Sequence, residues 1–319
     1  MARRIDEPTR GFRPEAAASA RGWWARVAGG GLLAILAACA TPPGEREHPG
    51  DGARSIASRA IVAKSDALRA LTTFEASGVC RIEIPREDSG FDEEQLDLLL
   101  VLERPLRTAL RLKLSVSDTL AWLGSDGEQW WLFLPEESPS LAYRGRVGSE
   151  PAPAMDDLAV DQSPIPRSLR DPRLFWLLIG LEPPRDPGAV PSWDSTRGAW
   201  VLEERIEAAG GDGEPPTIRR GFDAAGDPVF VEVVDALGAR LAGSVLQDHA
   251  SVEVEGLPLG GWPRVATRIT VEGDRASDGR AMLVLERPSG RGSRVKSALF
   301  DWQRLAASMR PERILEVAP

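Results

Sequence analysis

The chain has 319 residues, with 39 basic and 48 acidic side chains, two histidines and two cysteines. Six of the basic and three of the acidic residues lie in the first 38, so residues 39–319 carry a formal net charge of −12. A body this acidic has no general attraction for nucleic acid or for anionic lipid. Its length fits one large domain or two small ones.

Residues 27–38 form a short apolar run that follows six arginines. The run is too short to span a bilayer, which takes about 20 apolar residues, but it matches the hydrophobic region of a secretory signal peptide over residues 1–38. Its end, Leu36-Ala37-Ala38-Cys39, resembles a bacterial lipobox. The resemblance implies that Cys39 carries two acyl chains and anchors the mature protein to a membrane. The alternatives are an ordinary cleaved signal with a chance cysteine and a buried apolar helix.

The segment after the signal is rich in proline, glycine and charge, and it predicts a flexible tether over residues 39–54. From Ser55 to Thr73 apolar residues recur at helical spacing, which predicts an amphipathic helix with one apolar stripe. The members of this predicted stripe are Ile56, Ala60, Ala63, Ala67, Leu68 and Leu71.

After this helix the apolar period changes from about 3.6 to 2, which is typical of strands with one buried face. Leu110, Leu112 and Leu114 alternate with basic residues in the clearest example. Residues 96–102 are almost all apolar and predict a strand that is buried on both faces. Ser-Asp-Gly at 125–127, between two apolar runs, predicts a hairpin.

The second half of the chain repeats this style of short strands and turns, which favours a meander that curls into a barrel or a half-barrel. The two halves are joined by an irregular, proline-rich insertion near residues 149–192. Within it, residues 174–181 are nearly all apolar, and Asp171-Pro172 has the residue types of an N-cap and a first helical position. This short apolar helix is either a plug in the core or a mobile lid.

The sequence contains no motif that identifies a reaction. Its histidines and cysteines do not form a cluster with the spacing of metal ligands, and there is no nucleophile elbow, phosphate loop or dinucleotide fingerprint. Cys80 alternates with apolar residues and is interpreted as a core residue, not a nucleophile. Adjacent carboxylates such as Glu203 and Glu204 are interpreted as solvated surface. We therefore expect no enzyme, no cofactor and no metal.

Ten tryptophans accompany a single tyrosine, and core packing explains most of them. Trp130 and Trp131 are adjacent on a predicted strand, so their side chains point to opposite faces of the sheet. If helices cover only one of these faces, the other indole is exposed or contacts a ligand. This pattern indicates an apolar cavity.

An exported chain that opens with an amphipathic helix and continues as curled strands resembles the LolA/LolB lipoprotein-carrier superfamily. The resemblance covers most of residues 55–319 and includes the stretches SDGEQWWLFLP, DPRLFWLLIGLEP, GWPRVATRITV and LFDWQRLAASMRPERILEVAP. It implies an α+β fold in which a curled antiparallel sheet forms an incomplete β-barrel over residues 55–319. It also implies that helices cover the concave face and that this face shelters acyl chains.

The resulting prediction is an envelope lipoprotein, on the outer membrane and facing the periplasm, that binds or transfers lipid or acylated protein cargo. An acyl chain loses about 0.8 kcal/mol for each CH₂ exposed to water, so such a carrier needs a continuous apolar cavity and no catalytic group. The alternative is a non-catalytic envelope scaffold or assembly factor with a filled half-barrel. An enzyme would need a cleft with converging polar groups. The predicted lining consists of Leu110, Leu112, Leu114, Trp122, Trp131 and Phe133, with Phe175, Trp176 and Leu178 as the lid.

Overall fold

The computed structural model describes residues 48–85, 91–114, 119–135, 139–147, 172–205, 215–273 and 279–316. The predicted signal peptide, Cys39, most of the predicted tether and residues 149–171 of the predicted insertion lie outside these ranges. The described part of the chain contains three α-helices and fourteen strands.

The described residues of the first half form one helix and six strands. They are α1 (Asp51–Ala70), β1 (Thr73–Pro85), β2 (Phe91–Glu103), β3 (Arg107–Lys113), β4 (Thr119–Asp126), β5 (Gln129–Leu134) and β6 (Leu141–Arg146). The second half begins with the helix α2 (Pro172–Leu178) and continues as strands. These are β7 (Ser192–Asp194), β8 (Ala199–Arg205), β9 (Thr217–Phe222), β10 (Pro228–Val234), β11 (Arg240–Ser251), β12 (Arg264–Gly273) and β13 (Arg280–Ser289). The 3₁₀ turn Ser297–Phe300, α3 (Trp302–Met309) and β14 (Arg313–Glu316) follow.

All fourteen strands belong to one sheet, in the order β14-β6-β5-β4-β3-β2-β1-β13-β12-β11-β10-β9-β8-β7. Among the described residues β14 and β7 are its two edges and do not pair with each other, so the sheet is open. This confirms the predicted α+β class and the incomplete barrel. One pair departs from the antiparallel prediction, because β14 runs parallel to β6. After β13 the chain returns to the sheet edge beside β6 through a long connection that contains α3. Such a crossover allows β14 to pair with β6 in parallel.

One face of this sheet, which we call the inner face, is apolar across the strands that lie from β5 to β10 in the sheet order. The pleat places alternate residues of each strand on the same face, and the strand registers bring them into one row across the sheet. They form a single buried cluster that includes Cys80, Leu96, Leu100, Leu110, Leu123, Leu132, Val231, Leu246, Ile269 and Leu283.

The sheet is curled around this cluster. The helix α2 contacts β10, and the indole of Trp176 within α2 donates a hydrogen bond to Thr108 of β3. Six strand spacings separate β3 from β10 in the sheet order, about 29 Å if the sheet were flat. A helix of seven residues is only about 10 Å long. The sheet must therefore bend to bring both strands to the same short helix, as the half-barrel prediction requires.

The helix α1 begins at Asp51, within the predicted tether, and ends at Ala70. Its buried stripe consists of Ala57, Ile61, Ser65 and Leu68. The prediction is correct for Leu68 and Leu71, which are buried, but it is wrong by about one position in the first half of the helix, where Ile56 is exposed. The first half of the helix packs on β8 and β9, where Ala57 and Ile61 form a cluster with Trp200, Leu202 and Phe222. Its last turn reaches the inner-face cluster through Leu68.

The opposite face, which we call the outer face, is also covered where it is apolar. Leu305 and Trp302 of α3 pack on Trp131 and Phe133, and Phe300 packs on Val101 and Ala109. The strand β2 is thus buried on both faces at its end, around Val101, as predicted, whereas Asp97 on its outer face is exposed. The prediction that the helices cover the concave face is correct for α1 and α2 but not for α3.

Candidate functional site

The helix α2 lies in the hollow of the inner face. It begins at Pro172, whose fixed φ suits a first helical position. Phe175, Trp176 and Leu178 are at most 3% exposed and belong to the inner-face cluster. The hydrogen bond of 2.8 Å between the Trp176 indole and Thr108 Oγ1 satisfies two polar groups that are otherwise surrounded by apolar side chains. In this conformation α2 is a plug.

The segment that follows α2 is held by Arg104, in the turn between β2 and β3. Its guanidinium donates hydrogen bonds to the carbonyl oxygens of Leu71, Leu68 and Leu181, at 2.9, 3.2 and 2.8 Å. Burial lowers the pKa of Arg104, and the nearby carboxylate of Glu182 partly offsets this effect. Arg104 therefore ties the end of α1, the β2–β3 turn and the end of the α2 segment together.

The predicted lining residues separate onto two faces. The inner-face cluster brings together Leu110, Leu112, Phe175, Trp176 and Leu178. Leu114 lies just after β3 and is 36% exposed.

Trp122, Trp131 and Phe133 lie on the outer face, beneath α3. Trp130 and Trp131 do point to opposite faces, as predicted, but neither indole is exposed, because α3 covers the second face. The sequence does not show which face α3 covers, since both faces of β4 and β5 carry apolar residues and either could line a cavity.

A group of charged residues lies beside α2, between α1 and the sheet. Asp227, at the start of β10, is only 3% exposed in its side chain and pairs with Lys64 of α1, at 2.9 Å, and with Arg264 of β12. The preceding residue, Gly226, makes this approach possible. Its φ is +79°, and a Cβ there would lie 2.6 Å from the backbone carbon of Ala60. The β9–β10 turn is therefore pressed against the helix backbone.

A second buried ion pair joins Arg220 of β9 to Glu204 of β8, with side-chain exposures of 3% and 12%. The sequence does not predict this pair, because the adjacent Glu203 and Glu204 have the pattern of solvated surface residues. Only Glu203 is exposed, at 57% of its side chain. The alternation of side chains along a strand does indicate that Glu204 is buried, since Glu204 lies on the same face of β8 as the buried Trp200 and Leu202.

A small cavity lies between these ion pairs and the inner-face cluster. Its volume is about 10 Å³, which is close to the minimum for one water molecule. It is lined by Lys64, Ser65, Leu68, Gly180, Glu182, Pro184, Arg220, Phe222, Gly226, Pro228, Val231 and Arg264. Burial raises the pKa of Glu182, and the neighbouring Arg220, Arg104 and Arg185 counteract part of this rise.

The described residues provide neither a metal-binding cluster nor a membrane-spanning helix. The residues that the structure describes contain no cluster of three or more histidine, cysteine or acidic side chains suited to a metal ion. No helix in the described ranges is long and apolar enough to cross a membrane. The described arrangement has apolar surface, covered by α2, on one side and paired charges on the other.

No family model and no curated protein matches the chain. A LolA superfamily protein from Nitrosomonas europaea is similar at 12% identity and a TM-score of 0.45, over 77% of this chain and 98% of its own. An outer membrane lipoprotein-sorting protein domain from Vibrio parahaemolyticus is similar at 12% identity and a TM-score of 0.45, over 76% and 97%.

A DUF1329 family protein from Desulfovibrio piger is also similar, at 11% identity and a TM-score of 0.38, over 81% of this chain and 100% of its own. The first of these proteins is named after the superfamily that the sequence resembles. At 11–12% identity, no residue of those proteins assigns a role to a residue of this one.

Proposed function

We propose that this protein is a bacterial envelope lipoprotein, anchored through Cys39 on the outer membrane, that binds acyl chains of lipids or of acylated proteins on its inner face. The observation that supports the proposal is the way α2 fills that face. A short helix with four large buried side chains occupies an apolar hollow that spans the sheet from β3 to β10. An acyl chain that displaced α2 would find the same apolar surroundings.

The free energies of such an exchange are of similar size. Burying an acyl chain of 14 CH₂ groups gains about 11 kcal/mol, at about 0.8 kcal/mol for each CH₂. Exposing the side chains of Phe175, Trp176, Leu177 and Leu178 costs about 6–12 kcal/mol, at about 1.5–3 kcal/mol for each large apolar side chain. The described polar contacts of α2 and its end include the Trp176–Thr108 bond and the Arg104–Leu181 bond, each worth about 1 kcal/mol. Ligand binding can therefore compensate for the release of the helix.

The filled interior favours a second candidate function, that of a non-catalytic envelope scaffold. The cavity beside α2 has room for about one water molecule, far less than an acyl chain. In a scaffold, α2 remains in place permanently and the inner face is only a core.

The two candidates differ in what happens when α2 is loosened. In the full chain carrying Cys39→Ser, Trp176→Phe removes the indole hydrogen bond at α2 and keeps an aromatic ring there. Trp262→Phe is the matched control, because its indole also donates one hydrogen bond, to Leu257 O at 3.1 Å, far along the chain from α2. The probe is 11-dansylaminoundecanoic acid, whose fluorescence rises in an apolar site.

If the protein is a carrier, we expect the probe to bind and Trp176→Phe to raise its apparent affinity about fivefold, the equivalent of one hydrogen bond of about 1 kcal/mol that holds the closed state. Trp262→Phe should leave the affinity unchanged. Absence of binding by all three chains would contradict the carrier and favour the scaffold. Equal changes in both variants would show that α2 does not control access.

A further inference from the structure

The segment that follows α2 brings a carboxyl group to the small cavity. Gly180 and Glu182 of this segment line the cavity, together with Leu68 and Val231 of the inner-face cluster. Along the chain, the large apolar side chains of α2 come first, and the carboxyl group of Glu182 follows four residues after Leu178. This is the order of tail and headgroup in an anionic amphiphile. A tail that took the place of α2 would therefore have its headgroup at this cavity.

The rest of the cavity lining, which we call the cationic wall, is positively charged. It carries Lys64 of α1, Arg220 of β9 and Arg264 of β12, and no acidic side chain among the described residues. Lys64 and Arg264 both pair with Asp227, so two positive charges meet a single negative charge. Arg220 pairs with Glu204. Counted over these ion pairs, the cationic wall has one positive charge in excess, and it attracts an anion although the body of the protein is acidic.

The cationic wall also has a buried hydrogen-bond donor without an acceptor. This donor is the Nε–H of Arg220, which no acceptor among the described residues reaches. The side chain of Arg220 is only 3% exposed, so bulk water does not replace the missing acceptor. The buried Ser65 lines the same cavity and can donate from its hydroxyl group. A carboxylate or a phosphate group accepts several such bonds at once and also compensates the positive charge.

Glu182 faces the cationic wall in this conformation, but the wall binds it weakly. Burial raises the pKa of its carboxyl group, and the attraction of Arg220, Arg104 and Arg185 offsets only part of the rise. The charged form is therefore less favourable here than in water. Glu182 also leaves the Nε–H of Arg220 without an acceptor. If α2 and the segment behind it are displaced, Glu182 leaves with them and the cationic wall loses this carboxyl group.

We propose that the cationic wall recognises the headgroup of the bound lipid and that this headgroup is an anion, a carboxylate or a phosphate group. The inference rests on the proposed lipid-binding function and specifies which lipid class the inner face receives. The tail takes the place of α2. The headgroup takes the place of Glu182 and accepts hydrogen bonds from Arg220 Nε and Lys64 Nζ. Displacement of Gly180, Glu182 and Pro184, which now line the cavity, enlarges its volume of about 10 Å³ to that of a headgroup.

The test compares two pairs of lipids, each with a single difference in charge. Myristic acid is paired with methyl myristate, and 1-myristoyl lysophosphatidic acid with 1-monomyristoylglycerol. All four are tritiated and bound by equilibrium dialysis at pH 8, below their critical micelle concentrations, to the full chain carrying Cys39→Ser. We expect the anionic member of at least one pair to bind about tenfold more tightly than its uncharged partner. The pair with the larger ratio shows whether the headgroup is a carboxylate or a phosphate group.

Two variants of α1 assign the preference to the cationic wall. Lys64→Met removes a positive charge from the wall and should reduce the ratio of affinities to within about threefold, with the uncharged lipids unaffected. Arg59→Met is the matched control, because it removes a positive charge from an exposed position of the same helix that does not line the cavity. It should keep the tenfold ratio.

The folded state of each variant is checked by thermal unfolding followed by circular dichroism. Lys64→Met leaves Asp227 paired with Arg264, so the buried carboxylate keeps a counter-charge. If Lys64→Met does not fold, Arg264→Met makes the same test, since Lys64 then remains as the partner of Asp227.

The other outcomes have distinct meanings. Ratios within about twofold in both pairs would overturn the headgroup inference and leave lipid binding intact. A preference for the anionic lipids that persists in Lys64→Met, or that falls equally in Arg59→Met, would also overturn it, because the general charge of the protein would then be its source. Absence of binding by all four lipids would overturn the proposed function itself.

Discussion

Arg220 and Arg268 are both arginines that pair with a carboxylate, but they differ in burial. Arg220 and Glu204 have side-chain exposures of 3% and 12%, whereas Arg268 and Asp248 have exposures of 51% and 58%. An exposed ion pair contributes little to the free energy of unfolding because water screens it. A buried charge that loses its partner destabilises the fold, because no partner offsets its desolvation. The two pairs therefore contribute very differently to the free energy of unfolding.

We expect Arg220→Met to lower the free energy of unfolding by about 3–5 kcal/mol, because it leaves Glu204 buried without a counter-charge. Arg268→Met, the matched control on the surface, should change it by less than about 1 kcal/mol. Urea denaturation followed by tryptophan fluorescence measures both. Similar small losses in the two variants would mean that Glu204 reaches water when Arg220 is removed.

Some single residues of the site could be predicted from the sequence and others could not. The inner-face positions Leu110 and Leu112 follow from the alternation with basic residues. The pairing of Arg220 with Glu204 required the register of β8 and β9, which no local pattern specifies. Glu182 lies in a segment without regular structure, so its position beside Arg220 depends on how α2 is seated.

The residues Asp301 and Arg310 determine where the helix α3 begins and ends. Asp301 precedes it and its carboxylate accepts a hydrogen bond from the backbone N–H of Arg304, which is a standard N-cap. At the other end Arg310 adopts the left-handed conformation, with φ of 48°, and its N–H bonds to Ala306 O at 2.8 Å. Glycine is the usual residue at this position, because a Cβ is strained there.

The same substitution at two positions of this helix should have opposite effects. Arg310→Gly relieves the strain of the left-handed conformation and should raise the free energy of unfolding by about 0.5–1 kcal/mol. Ala307→Gly, on the exposed side of the helix interior, should lower it by about 1 kcal/mol. Both are measured by chemical denaturation of the full chain. A loss in both variants would show that the Arg310 side chain makes a stabilising contact that outweighs the backbone strain.

At the level of elements, strands were easier to predict than the surfaces that helices cover. The hairpin at 125–127 and the burial of β2 on both faces around Val101 follow from turn residues and an apolar run, and the structure contains both. The stripe of α1 was misplaced because alanines stand on several sides of this helix and give similar apolar patterns in neighbouring registers. The observed stripe is determined by the packing of Ile61 on β8 and β9 and of Leu68 on the inner-face cluster.

For the molecule as a whole, the open sheet and its curl could be predicted, but the position of its last strand could not. The parallel pairing of β14 with β6 joins segments about 170 residues apart, and four residues carry too little pattern to indicate it. The path of α3 across the outer face likewise depends on the tertiary fit of Trp302 and Leu305 against β5. Long-range pairings of this kind are decided by the assembled sheet.

The proposed anchor is also a property of the whole chain, and its two cysteines allow a controlled test. Metabolic labelling with radioactive palmitate should mark the wild-type chain in a bacterial host and should not mark Cys39→Ser. Cys80→Ala is the matched control and should keep the label. Cys80 is fully buried in β1, and burial raises the pKa of its thiol to about 12, so the thiol stays neutral and inaccessible. Label that persists in Cys39→Ser, or an unlabelled wild type, would contradict the anchor.

The central place of β1 in the sheet has a consequence for how the chain folds. Its two partners come from opposite parts of the chain: β2 follows at once, whereas β13 is about 200 residues away. Until β13 has been synthesised, β1 presents an unpaired apolar strand edge that another chain can join. We therefore expect slow folding, governed by this late closure, and a strong dependence of yield on protein concentration during refolding.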